Sequence, residues 1–410
     1  MKILYISQYF PPELAAPAVR VSELSHHWVT SGHEVTVLTG FPNHPTGVVH
    51  PEYRGKLRRL VFRECIEGVQ VVRTWLWPKP NRKALGRMLN FVSFAVSAAI
   101  SGLFFSRPDV LIATSPQLLV GLTGWWLARA KRVPFIFEVR DLWPESLAAV
   151  GMGSDQSLLH RALAMVANFL YRQSDEIVVV TPAFKQHLMK HWEVPAAKIS
   201  VVPNGVETEL FSPGKTNSSL KQGLGIEGKF IACYIGTMGM AHGLDTILET
   251  AAELKTAAPQ ILFLLVGEGA EKENIATRAR SMGLSNVLIV DSQLREKIPS
   301  YICASDVCLV LLKNTPVFET VIPTKMLEYM SCGRPVILGV EGQAKKILQE
   351  AQAGVCIPPE DAKQLGQAVM RIAADKDLRK SLGDNGRRHV LKYFSRQHTA
   401  SAYLDVCRKM

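Results

Sequence analysis

Short apolar runs alternate with segments of helical spacing along almost the whole chain. Lys2 to Ser7 is an apolar run that ends in a proline-rich turn and reads as a first β-strand. Val19 to Ser31 carries apolar residues at helical spacing and stops at Gly32, and His33 to Thr39 (HEVTVLT) reads as a second strand. Further strands are predicted at Val69–Arg73, Val110–Thr114, Phe135–Val139 and Glu176–Thr181. The same rhythm restarts after residue 205, with strands predicted at Phe230–Ile235, Ile261–Val266, Val287–Val290, Val307–Leu312 and Pro335–Leu338. Short strands alternating with helices require a parallel sheet with crossover helices. Two such runs predict an α/β chain of two doubly wound, Rossmann-like domains. A length of 410 residues, too long for one ordinary core, agrees. The Pro- and Gly-rich segment Val201 to Lys215 has no helical period and is expected to be the hinge. The expected domains are residues 1–200 and 201–390, followed by a C-terminal helix, 391–410, that packs back toward the first domain.

One segment departs from this rhythm. Asn81 to Ser106 opens with basic residues and continues into an uncharged run, Met88 to Ser106, about long enough to cross a bilayer. Three readings are open. It is a buried helix of the first domain, an interfacial helix with Phe91, Phe94, Phe104 and Phe105 in lipid, or a membrane span. A span would interrupt the first domain, because Val110–Thr114 must rejoin the sheet.

Charge narrows the choice of partners. The formal net charge is +11, and ten basic residues face two acidic ones between Arg54 and Arg87. Such a stretch suits anionic lipid, a pyrophosphate-linked acceptor or nucleic acid, or is simply a solvated basic face. No stacking platform of interleaved aromatic and basic residues accompanies it, so a nucleic-acid partner is not expected. The seven cysteines are scattered, with no CxxC pair, which points to reduced thiols in a cytosolic setting rather than a disulfide or zinc framework. The start, MKILYISQYF, reads as a strand and not as a signal peptide.

Four motifs sit where a strand gives way to a loop. Ligands of open α/β sheets bind beyond the carboxyl ends of strands, and helix N-termini favour anions. The first motif is Gln8-Tyr9-Phe10-Pro11-Pro12, followed by Arg20 near a helix start; a plain proline turn is the alternative. The second is the glycine loop Gly236-Thr237-Met238-Gly239-Met240-Ala241-His242-Gly243, with Val266-Gly267-Glu268-Gly269 ending the next strand. Glycines there let the backbone approach a diphosphate, although a tight turn alone needs them too. Neither a P-loop nor a dinucleotide GxGxxG fits the spacing. The third is Pro323-Thr324-Lys325-Met326-Leu327-Glu328, a helix start with a cation in its first turn, against the macrodipole preference. An ammonium for phosphate and a carboxylate for sugar hydroxyls would suit a nucleoside diphosphate; a local Lys–Glu pair is the alternative. The fourth is Glu138-Val139-Arg140-Asp141-Leu142-Trp143-Pro144-Glu145, whose four charges are costly if buried idle. It offers either acid–base groups or an ion-pair network that fixes the loop.

Taken together, PNGV at the hinge, the glycine loop, VGEG and LEYMSCGRPVI resemble the retaining GT-B glycosyltransferases of family four over essentially the whole chain. QYFPPE and VRDLWPES further resemble the bacterial branch that builds O-antigen and capsule, including WbuB-like fucosaminyltransferases. The resemblance implies a GT-B fold, two Rossmann-like domains facing across a cleft. It implies a nucleotide-sugar donor, UDP-linked, and a lipid-linked glycan acceptor at the inner face of the cytoplasmic membrane. The transferred sugar would be an N-acetylated amino sugar. Glu328 matches the second Glu of the family's Glu-x7-Glu motif, which binds the ribose. Gly236, Thr237, Gly239, His242, Gly243, Gly267, Glu268, Thr324 and Lys325 would complete the donor site. Pro12, Ala16 and Arg20 would face the acceptor, and Arg140, Asp141, Glu145 and Lys325 are the candidate catalytic groups. Departures from the pattern are specific. Thr320 stands where the first Glu belongs, Thr237 and His242 where the phosphate-binding Arg and Lys belong, and Arg140 where a His is common. Lys325 is therefore expected to replace part of the missing positive charge, with Arg140 or Arg20 supplying the rest.

The implied chemistry is stabilisation of a leaving diphosphate by cations and backbone N–H groups, with retention at the anomeric carbon. In a front-face attack the leaving phosphate takes the acceptor's proton, leaving Asp141 and Glu145 to orient the acceptor. No DxD motif lies in a suitable loop, so no metal and no cofactor are expected. The alternative is a GT-B sugar-nucleotide epimerase or phosphorylase, which would need no acceptor surface.

Overall fold

Eight strands build the first sheet, in the order β3-β4-β2-β1-β5-β6-β7-β8. They are β1 (Lys2–Ile6), β2 (Glu34–Gly40), β3 (Val61–Ile66), β4 (Val69–Thr74), β5 (Val110–Thr114), β6 (Phe135–Val139), β7 (Glu176–Val179) and β8 (Ile199–Val201). The computed structural model describes residues 1–13, 15–44, 46–79, 84–143, 158–214 and 218–410. All pairings are parallel except β3 with β4. Those two form a hairpin through Glu67 and Gly68, both at positive φ (50° and 82°), as a two-residue turn of matching twist requires. β5 and β6 are buried at every position, which is why they read as continuous apolar runs. β3 is never fully buried, and its polar alternation concealed it in the basic stretch.

Helices cover both faces. On one, Phe94, Ala98, Leu118, Leu127, Leu170 and Tyr171 pack over the sheet. On the other, Val21, Leu24 and Trp28 of helix Ala16–Thr30 pack with Tyr403, Leu404 and Cys407 of helix Arg396–Arg408. Trp28 Nε1 donates to Ala400 O at 3.0 Å. Residues Met1–Pro203 and Thr399–Met410 thus form one compact unit, and Asn204–His398 form the other. The second unit holds six parallel strands in the order β11-β10-β9-β12-β13-β14. They are β9 (Phe230–Ile235), β10 (Ile261–Val266), β11 (Val287–Val290), β12 (Val307–Leu311), β13 (Val336–Gly339) and β14 (Gly354–Cys356). The seven cysteines are all unpaired thiols.

The apolar segment forms helix Ala84–Leu103, and among the described residues it alone is long and apolar enough to cross a membrane. It is nevertheless held along one face. Phe94 and Ala98 lie in the core, and Asn90, 3% exposed, accepts from Gln8 Nε2 (2.7 Å) and donates to Trp77 O (3.1 Å). Phe94 therefore cannot meet lipid in this fold. The opposite face carries Met88, Leu89, Val92, Val96, Ile100 and Leu103, all exposed, and continues to Phe104. These positions recur every three to four residues, as a single stripe of a helix does.

A buried charge pair ties the first unit together. Arg20 (1% exposed) donates through Nε to Glu138 Oε1 (0% exposed) at 2.9 Å, and Tyr5 OH donates to Glu138 Oε2 at 2.6 Å. Burial alone would raise the Glu138 pKa, but Arg20 and Arg140 outweigh it and hold the carboxyl below its ordinary value. Arg20 also donates to Val202 O (3.1 Å) and Pro203 O (2.9 Å), where the chain leaves the unit. Removing one partner of such a pair strands the other charge, at about 3–5 kcal/mol. Arg20→Met should lower unfolding stability by about that amount in a urea titration. The double variant Arg20→Met/Glu138→Leu should recover much of the loss.

Candidate active site

In the second unit the loops that follow β9 and β10 are knitted together by their backbones. Gly236 N donates to Val266 O (2.9 Å), Met238 N to Glu268 O (2.8 Å) and Glu271 N to Met238 O (2.9 Å). A Cβ on Gly267 would lie 1.9 Å from Gly236 O, and one on Gly269 2.2 Å from Met238 O. These two glycines are thus demanded by the approach of one loop to the other, before any ligand is considered. Gly239 meets only ordinary contacts, and Gly243 takes the left-handed conformation (φ 55°) that turns the chain toward helix Asp245–Ala257.

Helix Thr324–Ser331 brings Lys325 to this turn. Its Tyr329 OH accepts from Ile235 N (2.9 Å) and donates to Ile235 O (3.0 Å), fixing the helix to the end of β9. Lys325 Nζ donates to Tyr234 OH at 2.9 Å and stands 4.1 Å from that ring's centroid. It lies 3.0 Å from where a Gly236 Cβ would be, so the ammonium rests on the glycine turn itself. Burial pulls its pKa from 10.5 to about 7, against the opposing pull of Glu328. His242, beside Tyr234, is lowered to about 4 by burial and by Lys325, so its imidazole is neutral at physiological pH. Thr237 is exposed, and its carbonyl accepts from Tyr234 OH (2.6 Å). Lys325 is therefore the partly buried cation at the start of this loop, while the exposed Lys313, whose N–H donates to Ala241 O (2.9 Å), lies against its far end.

Glu328 forms an ion pair with Arg295 (3.4 Å) rather than with Lys325. The Arg295 guanidinium also lies 5.1 Å from the centre of the Phe211 ring. Glu268 is half exposed and pairs with Lys272, which also binds Asp291. Thr324 is the first residue of its helix, with no side-chain cap preceding it. Thr320 donates to Val317 O (2.7 Å), and Glu319 is exposed, its backbone packed where a Gly342 Cβ would stand. Tyr234 and Arg295 escaped sequence reasoning: Tyr234 looked like one more core residue of a strand, and Arg295 lies in a charged connection without a motif. Among the described residues, no group of three or more His, Cys, Asp or Glu is placed to hold a metal ion.

The first unit gathers its charges at the carboxyl ends of β5 and β6. Ser115 Oγ accepts from Arg140 N (2.7 Å) and Asp141 N (3.3 Å), pinning the two loops. Burial lowers the Arg140 pKa against Glu138, and burial raises that of Asp141 against Arg140. Glu145 lies outside the described residues. Pro12 and Ala16 are exposed. Arg20 is not available to an acceptor or to a diphosphate: it is turned inward onto Glu138 and two carbonyls. A residue that sequence reasoning passed over, Glu13, joins the loops after β1 and β2. It accepts from Phe10 N (3.2 Å), Asn43 N (2.9 Å) and His44 N (2.8 Å), and burial pushes its pKa up to about 7 against those donors.

Two largely parallel α/β sheets gather their loops at the carboxyl ends of the strands, and comparison with known proteins gives the class. Residues 16–205 match the glycosyl transferase 4-like domain, and residues 217–389 match the glycosyl transferases group 1 domain. The chain belongs to the GT-B glycosyltransferases. It is 25% identical over 377 residues to WcaI of Escherichia coli K12, named for colanic acid biosynthesis, covering 89% of this chain and 90% of that one. Its fold is similar to sucrose-phosphate synthase of Thermosynechococcus elongatus, at TM-score 0.77 and 21% identity, covering 100% of this chain and 98% of that one. It is similar also to HepE of Anabaena in complex with UDP-glucose, at TM-score 0.74 and 15% identity, with full coverage of both. Both domain models describe glycosyltransferases, which weighs against the epimerase alternative.

Lys325 gives a pH signature. Its pKa is lower in the folded chain than in the unfolded one, so between pH 7 and 10.5 the unfolded state binds more protons. The stability of the wild type should therefore rise relative to Lys325→Met as pH increases across that window. Parallel melting curves at several pH values check this; an unchanging difference would mean an ordinary, solvated ammonium.

Proposed function

We propose that this glycosyltransferase moves an N-acetylated amino sugar from UDP to a lipid-linked glycan during surface polysaccharide synthesis, with retention of anomeric configuration and without a metal. The observation that carries the reading is Lys325 resting on the Gly236 turn, one helical turn from Glu328. An ammonium at a backbone turn meets a diphosphate, and a carboxylate one turn on accepts ribose hydroxyls. The second unit is then the donor domain, with Gly236, Thr237, Gly239, Gly243 and Gly267 lining the diphosphate. The first unit is the acceptor domain, with Asp141 and Glu145 orienting the attacking hydroxyl. Diphosphate departure is the step the protein must ease, and a partly neutral lysine that regains its proton beside a phosphate supplies charge where it develops. Support for uridine comes from the UDP-glucose complex of HepE, and support for polysaccharide synthesis from WcaI.

A thermal-shift panel with UDP, GDP, ADP and CMP tests the donor site. A ligand that binds only the folded state at 100 times its Kd adds about 2.7 kcal/mol. UDP should raise the midpoint, and Glu328→Ala should weaken UDP about 10- to 100-fold, as loss of a charged hydrogen bond does. A flat response to all four nucleotides would defeat the reading.

The acceptor's lipid brings the enzyme to the cytoplasmic face of the membrane as a peripheral protein. The exposed stripe from Met88 to Phe104 is the apolar half of an interfacial contact, and the exposed Trp77, whose N–H donates to Ser93 Oγ of the same helix (2.8 Å), lies beside it. Arg58, Arg59, Arg63 and Lys79 are exposed nearby in sequence, and Arg63 lies over the Phe105 ring at 5.9 Å. An apolar face flanked by cations binds anionic bilayers. The protein should float with phosphatidylglycerol vesicles, and Val92→Gln/Val96→Gln/Ile100→Gln should abolish flotation while leaving the UDP shift intact.

A further inference from the structure

Four buried N–H donors stand on the loops that follow two adjacent strands of the first unit, without a partner among the described residues. Arg140, directly after β6, leaves Nε and Nη1 unpartnered; Trp143 leaves Nε1; Gln117, just after β5, leaves Nε2. β5 and β6 pair in register up to Thr114 and Glu138, and Ser115 Oγ then binds both loops together. The Gln117 amide is oriented by its other end, because Oε1 caps helix Leu118–Lys131 by accepting from Leu119 N at 3.0 Å. Glu138 and Asp141 both act on the Arg140 charge through space, yet neither accepts a hydrogen bond from its Nε or Nη1. The Glu138 carboxylate is occupied by Arg20 and Tyr5. On the loop after β1, Gln8 Oε1 is an unpartnered acceptor, so among the fully buried unpartnered atoms of these loops donors outnumber acceptors.

Buried donors are nearly always satisfied in folded proteins, and an idle charged one is the most costly. A ligand that satisfies several N–H groups and a guanidinium together must be rich in acceptor oxygens and negatively charged. A sugar hydroxyl offers neither property in full.

We propose that the loops after β5 and β6 form an oxyanion subsite for the glycosyl acceptor, with Arg140 as its specificity-determining residue and Gln117 and Trp143 as further donors. The oxyanion is a phosphate of the acceptor's lipid linkage or the carboxylate of an acidic sugar. The word acceptor rests on the glycosyltransferase reading; the anion subsite is a property of the first unit alone.

The experiment is a titration of the full chain, at constant ionic strength and with saturating UDP, using pyrophosphate, glucuronate and glucose as probes. Pyrophosphate or glucuronate should raise the thermal midpoint, the effective one naming the source, and glucose should not. Arg140→Met should weaken that anion at least tenfold and leave UDP affinity within twofold. Gln117→Glu, which keeps the capping oxygen and replaces the donor with a negative charge, should weaken it as well and guards against a folding defect in the first variant. Stabilisation by glucose equal to that by the anions would overturn the proposal, as would no response to either anion or an anion effect untouched in both variants. A loss of UDP affinity in Arg140→Met would also overturn it, by placing the guanidinium on the donor. Absence of any UDP shift in the wild type would sink the donor reading instead, and the anion titrations would then be read without nucleotide.

Discussion

Parallel pairing is the constraint on which the rest of this molecule depends. When strands run the same way, every strand delivers its carboxyl end to the same edge, and the following loops collect there. In the second unit this brings the turns after β9 and β10 so close that only glycine fits at 267 and 269. In the first unit it brings Ser115, Arg140 and Asp141 together from two loops. No side chain had to be placed individually for these gatherings; the direction of the strands did it.

Charge is then rationed by burial. Two fully buried charges of the first unit, Arg20 and Glu138, neutralise one another, and Arg20 also binds the carbonyls where the chain leaves the unit. Lys325 is the opposite case. Its hydrogen bond runs to a phenol rather than a carboxylate, and its pKa near 7 keeps it poised between charged and neutral. His242, which could have shared the positive charge, is neutral beside it. The donor chemistry proposed for this turn thus rests on one partly buried ammonium, assisted by backbone N–H groups.

Helix Ala84–Leu103 shows how composition can mislead. By length and hydropathy it qualifies as a span, yet Asn90, Phe94 and Ala98 bind it to the domain. Its exposed stripe, Met88 to Phe104, is more apolar than its buried one, which includes Asn90 and Gly102, so periodicity pointed to the wrong face. Packing decided which phenylalanine went where: Phe94 inward, Phe104 outward.

The alternation of strand and helix and the placement of motifs after strands were legible in the amino-acid order, because buried parallel strands must be apolar throughout. β3 was not legible, since an edge strand with a polar face carries no such run. Glu328 and Lys325 were readable as a pair on one helix face, but Arg295, the actual partner of Glu328, comes from 33 residues away. Likewise nothing local distinguishes Arg20, spent inside the fold, from Arg140, left with unpartnered donors. Which elements form, and in what order, follows from periodicity within a few residues. Which charge meets which depends on distances that only the folded chain creates, and on the cost of burying each charge without a partner.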